Sequence, residues 1–572
     1  MPIHNSEVAD VFSQVADLLE IEGANEFRVR AYRKAARTIG GYPRSMADLL
    51  DEGQDLTELS GIGEDLAGKI QEIVQTGGLA QLEEIKQRTP AGLTQMLKVE
   101  GLGPKRVQQL YEELGITNLT QLEEAAKNGQ IQGLDGFGPR TEQNILRELS
   151  RKDLEGGRTR LNVAEEMARP LVAYLESVEG VTRVEVAGSY RRRKETVGDL
   201  DVLAISEAGE ETIRRFVEYE DVDEVLSQGE TRSTVVFRSG LQVDLRVVPQ
   251  ESYGAALFYF TGSKDHNIAV RNVALDQGLK VNEYGVFRDE ELIAGETEEE
   301  IYGLFDLPYI PPELREDRGE LAAAREGRLP TLVSLDDIRG DLQMHTTGSD
   351  GDASLEEMAR AALERGYEYL AITDHSPRVA VARGLDAEAL ARQIDEIDHL
   401  NDELAGITIL KAIEVDILED GSLDLPDDIL TRLDLRICSV HSYLGLSREK
   451  QTERIIRAMD NRNFNILAHP TGRRIGERPP YDVDLERVMV AALERGCFLE
   501  INAHPERLDL NDVQAKMARD MGLKLAINTD AHSVPELDFM RYGVGQARRG
   551  WLEADEVLNT RSWADLRRLL VR

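Results

Sequence analysis

From residue 340 onward, six apolar runs, EYLAITD, ITILKAIEVDIL, LRICSV, FNILAH, CFLEINA and LKLAINTD, alternate with segments whose apolar residues recur every three or four positions. Strand–helix alternation of this kind predicts a parallel β/α barrel whose active site gathers at the C-terminal ends of its strands. The polar residues fall where that architecture requires them. His345 with Asp350 in DLQMHTTGSDG, His375 in ITDHS, Glu414 in AIEVD, His441 in SVHS, His469 in LAHP, and Asp530 with His532 in NTDAHS each end or follow a strand. Seven of the nine histidines lie after residue 340. Imidazoles mixed with carboxylates suit Mn²⁺, Zn²⁺ or Fe²⁺ better than Mg²⁺ alone, and several ions in one cluster would serve hydrolysis of phosphate esters. His399, in the helical segment EIDHL, reads as an ordinary surface residue, and His504 in INAHPERLDL fits either role.

The chain has 572 residues, more than one hydrophobic core usually serves, so several domains are expected. With 41% hydrophobic and 30% charged residues and no apolar run near 18 residues, it reads as a globular protein without a membrane span. The segment MPIHNSEVADVF lacks the basic and apolar regions of a secretory signal, and Cys438 and Cys497 are the only cysteines, so a cytoplasmic location with reduced thiols is expected. The net charge of −38 is at first sight wrong for a nucleic-acid partner. Yet 54 of the 68 basic residues are arginine, against 106 acids. That balance suggests an acidic, solvated surface, as a high-salt host would favour, with arginine kept where anions must be gripped.

Residues 1 to about 155 read as helical. Within them LSGIGEDLAGKI (59–70), VEGLGPKRVQQL (99–110) and LDGFGPRTEQNI (134–145) repeat one design: an apolar residue, a Gly-x-Gly turn, then a new helix. The pairs Gly61/Gly63, Gly101/Gly103 and Gly136/Gly138 permit tight turns whose amides, with the helix N-terminus, can face a phosphate without reading a base. From about 156 to 310 strand-like runs predominate. In GDLDVL, Asp199 and Asp201 are two apart on a predicted strand, so both side chains leave the same face. Asp244 in VDLRVV supplies a third carboxylate from a second strand. Three such groups are costly to crowd together without cations, and hard oxygen ligands suit Mg²⁺ or Mn²⁺. Two ions roughly 3.5–4 Å apart would serve phosphoryl transfer. Gly188 and Ser189 open the segment GSYRRRKETVGDLD with a turn suited to a phosphate, and Arg191, Arg192 and Arg193 add positive charge. In YFTGSKDHNIAVR, Tyr259, Phe260 and Gly262 can form a turn against a sugar, while Asn267 and Arg271 share one helix face.

AYRKAA (31–36), two of the hairpins, GSYRR with GDLD, VDLR, FTGS and NEY (282–284) occur in the order found in family X DNA polymerases, and residues 1–312 resemble that family. The resemblance implies that Asp199, Asp201 and Asp244 are the metal-binding catalytic triad, with Asp244 favouring deprotonation of the primer hydroxyl. It implies that Ser189 and Arg192 hold the triphosphate, that Tyr259, Phe260 and Gly262 contact the incoming sugar, and that Asn267 and Arg271 approach the minor-groove edge of the nascent pair. Lys69, in LAGKIQEI, stands where some members carry a lyase lysine that forms a Schiff base with a 5′-deoxyribose phosphate. The C-terminal half resembles the PHP phosphoesterase domain fused to bacterial and archaeal members. That family usually opens with His-x-His, whereas this chain has Gln343-Met344-His345, a weaker neutral oxygen in place of an imidazole.

Together these readings predict a multidomain α+β and α/β protein: helical helix-hairpin-helix N-terminal region, nucleotidyltransferase palm with a mixed sheet, and PHP-type distorted β/α barrel. The expected division is 1–88 (8-kDa-like DNA-binding region), 89–155 (helix-hairpin-helix), 156–250 (palm), 251–312 (nascent base-pair subdomain), 313–334 (linker) and 335–572 (PHP). The expected function is short-gap DNA synthesis in repair with 3′→5′ exonuclease or 3′-end processing and incision at abasic sites, on gapped or nicked DNA with deoxynucleoside triphosphates, by a monomer. Mg²⁺ or Mn²⁺ would serve the polymerase site, and up to three Mn²⁺, Zn²⁺ or Fe²⁺ ions the barrel. The alternative is a DNA-end nuclease or phosphatase whose polymerase-like half only clamps DNA.

Overall fold

The computed structural model describes residues 5–572 apart from 41, 43–45, 60, 91, 98, 100–101, 135, 139–140, 143–144, 147–157 and 380–381. Its N-terminal part is helical. Helices Asn5–Ile21, Glu26–Gly40, Glu64–Thr76 and Ala80–Arg88 close around a core that includes Phe12, Leu18, Ile39 and Ile70, and a second core gathers Leu93, Val107, Leu110, Leu122 and Ile131. The repeat seen in the sequence becomes a repeated hydrogen bond. Ile62 N donates to Leu59 O at 3.0 Å, Leu102 N to Val99 O at 3.0 Å, and Phe137 N to Leu134 O at 3.1 Å. In each case the buried apolar residue between the two glycines pins the turn to its core. Gly61 and Gly136 adopt φ of +75°, which L side chains disfavour, while Gly63 and Gly103 cap helices Glu64–Thr76 and Pro104–Leu114. Gly101 lies outside the described residues.

The next layer is a five-stranded sheet: β1 (Val181–Val186), β2 (Asp199–Ser206), β3 (Val222–Gln228), β4 (Arg232–Phe237) and β5 (Gln242–Val248), in spatial order β1-β2-β5-β4-β3. Only β2 and β5 run parallel. Helix Leu161–Glu176 packs on it. Helices Tyr253–Thr261 and Lys264–Asp276 follow, then a small antiparallel sheet, β6 (Lys280–Asn282), β7 (Gly285–Arg288) and β8 (Glu291–Ala294). The charged segment 313–334, read from sequence as a linker, carries fully buried side chains. Arg315 pairs with Glu298 at 2.5 Å and Glu320 with His266 at 2.6 Å, so these two buried charges meet partners inside the protein rather than solvent.

The C-terminal half is a seven-stranded, all-parallel sheet in sequential order: β9 (Gly340–Met344), β10 (Tyr369–Ile372), β11 (Thr408–Asp416), β12 (Leu435–Ser439), β13 (Ile466–Leu467), β14 (Phe498–Asn502) and β15 (Leu525–Asn528). It curls until its ends meet: His345 N donates to Ala531 O at 2.8 Å and Asp530 N to Gln343 O at 3.1 Å. Leu342, Ala371, Leu410, Ala412 and Ile437 fill the interior, while Ile372, Ile409, Ile413 and Cys438 face the surrounding helices. Strands buried on both faces explain why these runs are apolar throughout rather than alternating. The barrel also docks on the first sheet. Leu508, Phe539 and Tyr542 join its core, and Arg473 pairs with Glu195 at 2.6 Å. Among the described residues no helix is long and apolar enough to cross a membrane.

Candidate active sites

The first site is built by register. Asp201 on β2 lies directly opposite Asp244 on parallel β5, and Asp199 shares the face of Asp201. Asp244 is buried and fixed: Thr234 Oγ1 donates to it at 2.6 Å and Gln242 Nε2 at 2.8 Å. Burial, then the charges of Asp199 and Asp244, push the Asp201 carboxyl up to about 7. Burial and Asp244 also raise Asp199. A carboxylate trio this strained when ionised is suited to divalent cations, which would relieve the repulsion.

Gly188 and Ser189 form a one-turn helix, Gly188–Arg191, rather than an open turn. Gly188 has φ +64°, and a Cβ there would sit 2.6 Å from Asp201 Oδ2, so this close approach needs glycine. Arg192 is held in place: it pairs with Glu316 at 3.0 Å, donates to Thr261 O, and lies beside Gly262. Arg191 is instead consumed by Glu298 and Glu185. Tyr259 and Phe260 contact each other, Arg271 lies 5.1 Å from the Tyr259 ring centre, and Asn267 donates to Tyr259 O at 2.7 Å. The buried Asn267 Oδ1 has no hydrogen-bond partner. Lys69 is ion-paired with Asp65 and lies 5.6 Å from the Tyr32 ring centre.

The second site occupies the C-terminal mouth of the barrel. His345 stacks between His375 and His532, with ring centres 4.5 and 4.2 Å away. Its Nε2 is 3.0 Å from Asp530 and 3.3 Å from Glu414. Glu414 is the hub, with oxygens 3.4 Å from His375, 3.4 Å from His441 and 3.0 Å from His469. Asp350 closes the outer side, 3.6 Å from both His375 and His532. Three overlapping groups could each hold an ion: His345/Asp350/His375/His532, His375/Glu414/His441 and His345/Glu414/Asp530. His345 Nδ1, His375 Nδ1, Glu414 Oε2 and Gln343 Oε1 are buried without hydrogen-bond partners, as ligand atoms awaiting cations would be.

The electrostatics agree. Burial alone would raise Glu414 and Asp530, yet the surrounding imidazoles, and for Asp530 also Arg507, hold both far below the usual carboxylate range. Burial pushes His375 down to about 3, leaving it a neutral ligand. Burial would also lower His345, but its hydrogen bond to Asp530 and the adjacent carboxylates of Glu414 and Asp350 outweigh that and raise it. Gln343 Nε2 donates to Asp530 Oδ1 at 3.2 Å, so the unusual glutamine is built into the cluster. His399 is exposed and pairs with Glu403, an ordinary surface role. His504 stays outside the three groups and packs on Phe539.

Several contributors were not singled out from sequence. Asp416 accepts from His441 Nδ1 at 2.9 Å and so aims Nε2 at Glu414; its place two residues after Glu414 on β11 was the available signal. Arg507 lies 3.4 Å from Asp530. Arg549, far along the chain, donates to Arg192 O at 2.7 Å and to Glu316 at 3.0 Å, tying the barrel to the first site. No local pattern could have disclosed it.

Comparison with known proteins covers both halves of the chain. The chain matches the helix-hairpin-helix domain over residues 3–79, the SAM-like helix-hairpin-helix tandem over 93–151, the DNA polymerase beta palm over 161–246, the DNA polymerase beta thumb over 256–316 and the PHP domain over 341–504. The chain belongs to the family X DNA polymerases that carry a C-terminal PHP domain. A full-length relative is the DNA polymerase/3′-5′ exonuclease PolX of Bacillus subtilis (strain 168), 39% identical over 574 residues and all of both chains. Over 38% of this chain and 90% of the relative, it is 33% identical to a probable phosphatase of Thermoanaerobacter sp. (strain X514). A probable phosphatase of Acetivibrio thermocellus is 32% identical over 34% of this chain and 78% of its own length.

Proposed function

We propose that this enzyme fills short gaps in DNA during repair and trims 3′ ends, using two separate metal sites. The observation that carries the reading is the Asp201–Asp244 register pair beside Gly188, in a chain whose other half independently assembles a histidine–carboxylate cluster at a barrel mouth. In the first site Mg²⁺ or Mn²⁺, held by Asp199, Asp201 and Asp244, would neutralise the triphosphate and assist attack by the primer 3′-hydroxyl. Asp244 is the residue placed to favour loss of that hydroxyl's proton. Gly188, Ser189 and Arg192 hold the triphosphate; Glu316 and Arg549 position Arg192. Tyr259, Phe260 and Gly262 bound the sugar, and Asn267 and Arg271 address the minor-groove edge of the new pair. Gly61, Gly63, Gly103, Gly136 and Gly138, with Gly101, grip DNA backbone phosphates. Lys69 is the candidate lyase amine, a role that requires its pair with Asp65 to open.

In the barrel, His345, Asp350, His375, Glu414, His441, His469, Asp530 and His532, with Gln343, would hold up to three ions of Mn²⁺, Zn²⁺ or Fe²⁺. Such ions supply Lewis acidity for 3′→5′ phosphodiester hydrolysis, 3′-phosphate removal and abasic-site incision. The six-part division given above, with 313–334 as a packed connection rather than a free linker, a monomeric state and a cytoplasmic location complete the reading. The test is a paired assay on gapped DNA with Mg²⁺ or Mn²⁺. Asp201→Ala is expected to abolish extension alone, and His345→Ala degradation alone. Loss of both activities in either folded variant would overturn the two-site reading.

A further inference from the structure

The barrel cluster accounts for cleaving a phosphate ester, but its ligands do not explain how a DNA end is seated. The rim does. Arg507 lies 3.4 Å from Asp530, Arg383 donates to Ser349 O at 3.0 Å beside Asp350, and Arg378 follows His375 by three residues. Arg378 forms no side-chain ion pair among the described residues, and its backbone N–H donates to Asp424 Oδ2 at 2.5 Å. Its guanidinium donates instead to Tyr443 Oη at 3.3 Å and lies 5.7 Å from that ring's centre.

Tyr443 is itself unusual. It is 47% exposed, yet it adopts φ +56°, a conformation that costs a non-glycine residue free energy. It stands two residues after His441, which keeps its Cα within about 7 Å of that ligand's Cα. The backbone between them is pinned: the buried Arg454 donates to Ser442 O at 2.8 Å, and Ser442 Oγ reaches Asp416 at 3.4 Å. The fold thus holds an aromatic ring in the open, at a backbone cost, two residues from a metal ligand and beside the guanidinium of Arg378.

We propose that Tyr443 is the stacking platform for the terminal base of a DNA 3′ end entering the barrel site, with Arg378 and Arg507 on the flanking phosphates. The inference rests on the phosphoesterase reading of that site. Every base has a π-face, so a stacking platform accepts any terminal nucleotide, and guanidinium groups hold the backbone without sequence preference.

The test is a two-way cycle on the full chain with Mn²⁺. One axis is Tyr443→Ala; the other replaces the terminal nucleoside of a single-stranded oligonucleotide by an abasic analogue. Stacking contributes ~1–3 kcal/mol per base, so Tyr443→Ala is expected to raise KM for the base-ended substrate roughly 5- to 150-fold with kcat nearly kept. The abasic-ended substrate should lose less than about 2-fold, because no stack exists to be lost. Tyr443→Phe, which keeps the ring, should restore the wild-type KM. Equal penalties on both substrates, or an unchanged KM for the base-ended one, overturn the platform while leaving the phosphoesterase reading intact. A wild-type chain that degrades neither substrate overturns both.

Discussion

Gly188→Ala is expected to disable synthesis while sparing the fold and the barrel chemistry. An added Cβ would stand 2.6 Å from Asp201 Oδ2, against 3.4 Å or more in ordinary contact, so the carboxylate must retreat by roughly 0.8 Å. Displacements near 1 Å in a reacting constellation cost about 10²-fold in rate, or ~2.7 kcal/mol of barrier. Separately, the left-handed backbone at φ +64° costs an alanine about 1–2 kcal/mol of stability, small beside the 5–15 kcal/mol of a typical domain. Gly240→Ala is the control. It lies in the turn before β5 with φ +84° and nothing within 4 Å of its added Cβ, so it carries the backbone strain without the clash. The assay is single-nucleotide extension of a gapped primer at saturating triphosphate and Mg²⁺, with thermal unfolding alongside. Both variants should lose similar stability; only Gly188→Ala should lose synthesis. Extension by Gly188→Ala within about 3-fold of wild type, or equal losses in both variants, would refute the idea that this glycine exists to let β2 approach the phosphate turn.

Two further outcomes follow from the electrostatics of the sites. Because Asp201 sits at about 7 when folded against 3.8 unfolded, the folded cation-free chain binds more protons between those values, so its stability should fall as pH rises through that window. Divalent cations should reverse the loss above pH 7 and release protons on binding below it, which calorimetry in buffers of different ionisation enthalpy checks; proton-free binding at pH 6 would contradict it. Asp416→Asn should weaken Mn²⁺ retention in the barrel by about 10- to 100-fold through loss of the His441 tether, measured by chelator competition, with primer extension unaffected.

Local pattern was enough to locate most of this molecule's chemistry. The three Gly-x-Gly turns, the Asp199/Asp201 spacing and the apolar runs ending in histidine or carboxylate each follow from interactions a few residues long, namely chain reversal, strand alternation and burial on two faces. Tertiary structure decided what those residues do to one another. That Asp244 faces Asp201 rather than a neighbour depends on the β2/β5 register, which is set by packing across 43 positions of chain. The segment 313–334 looked like a linker because its charges are visible in sequence while their partners Glu298 and His266 are not. Arg549 reaching Arg192, and Asp416 rather than solvent receiving His441, are likewise long-range pairings. Sequence alone thus determined which groups are present and which face each takes; only the packed fold could bring them within a few ångströms, where charge repulsion and desolvation are strong enough to create a site.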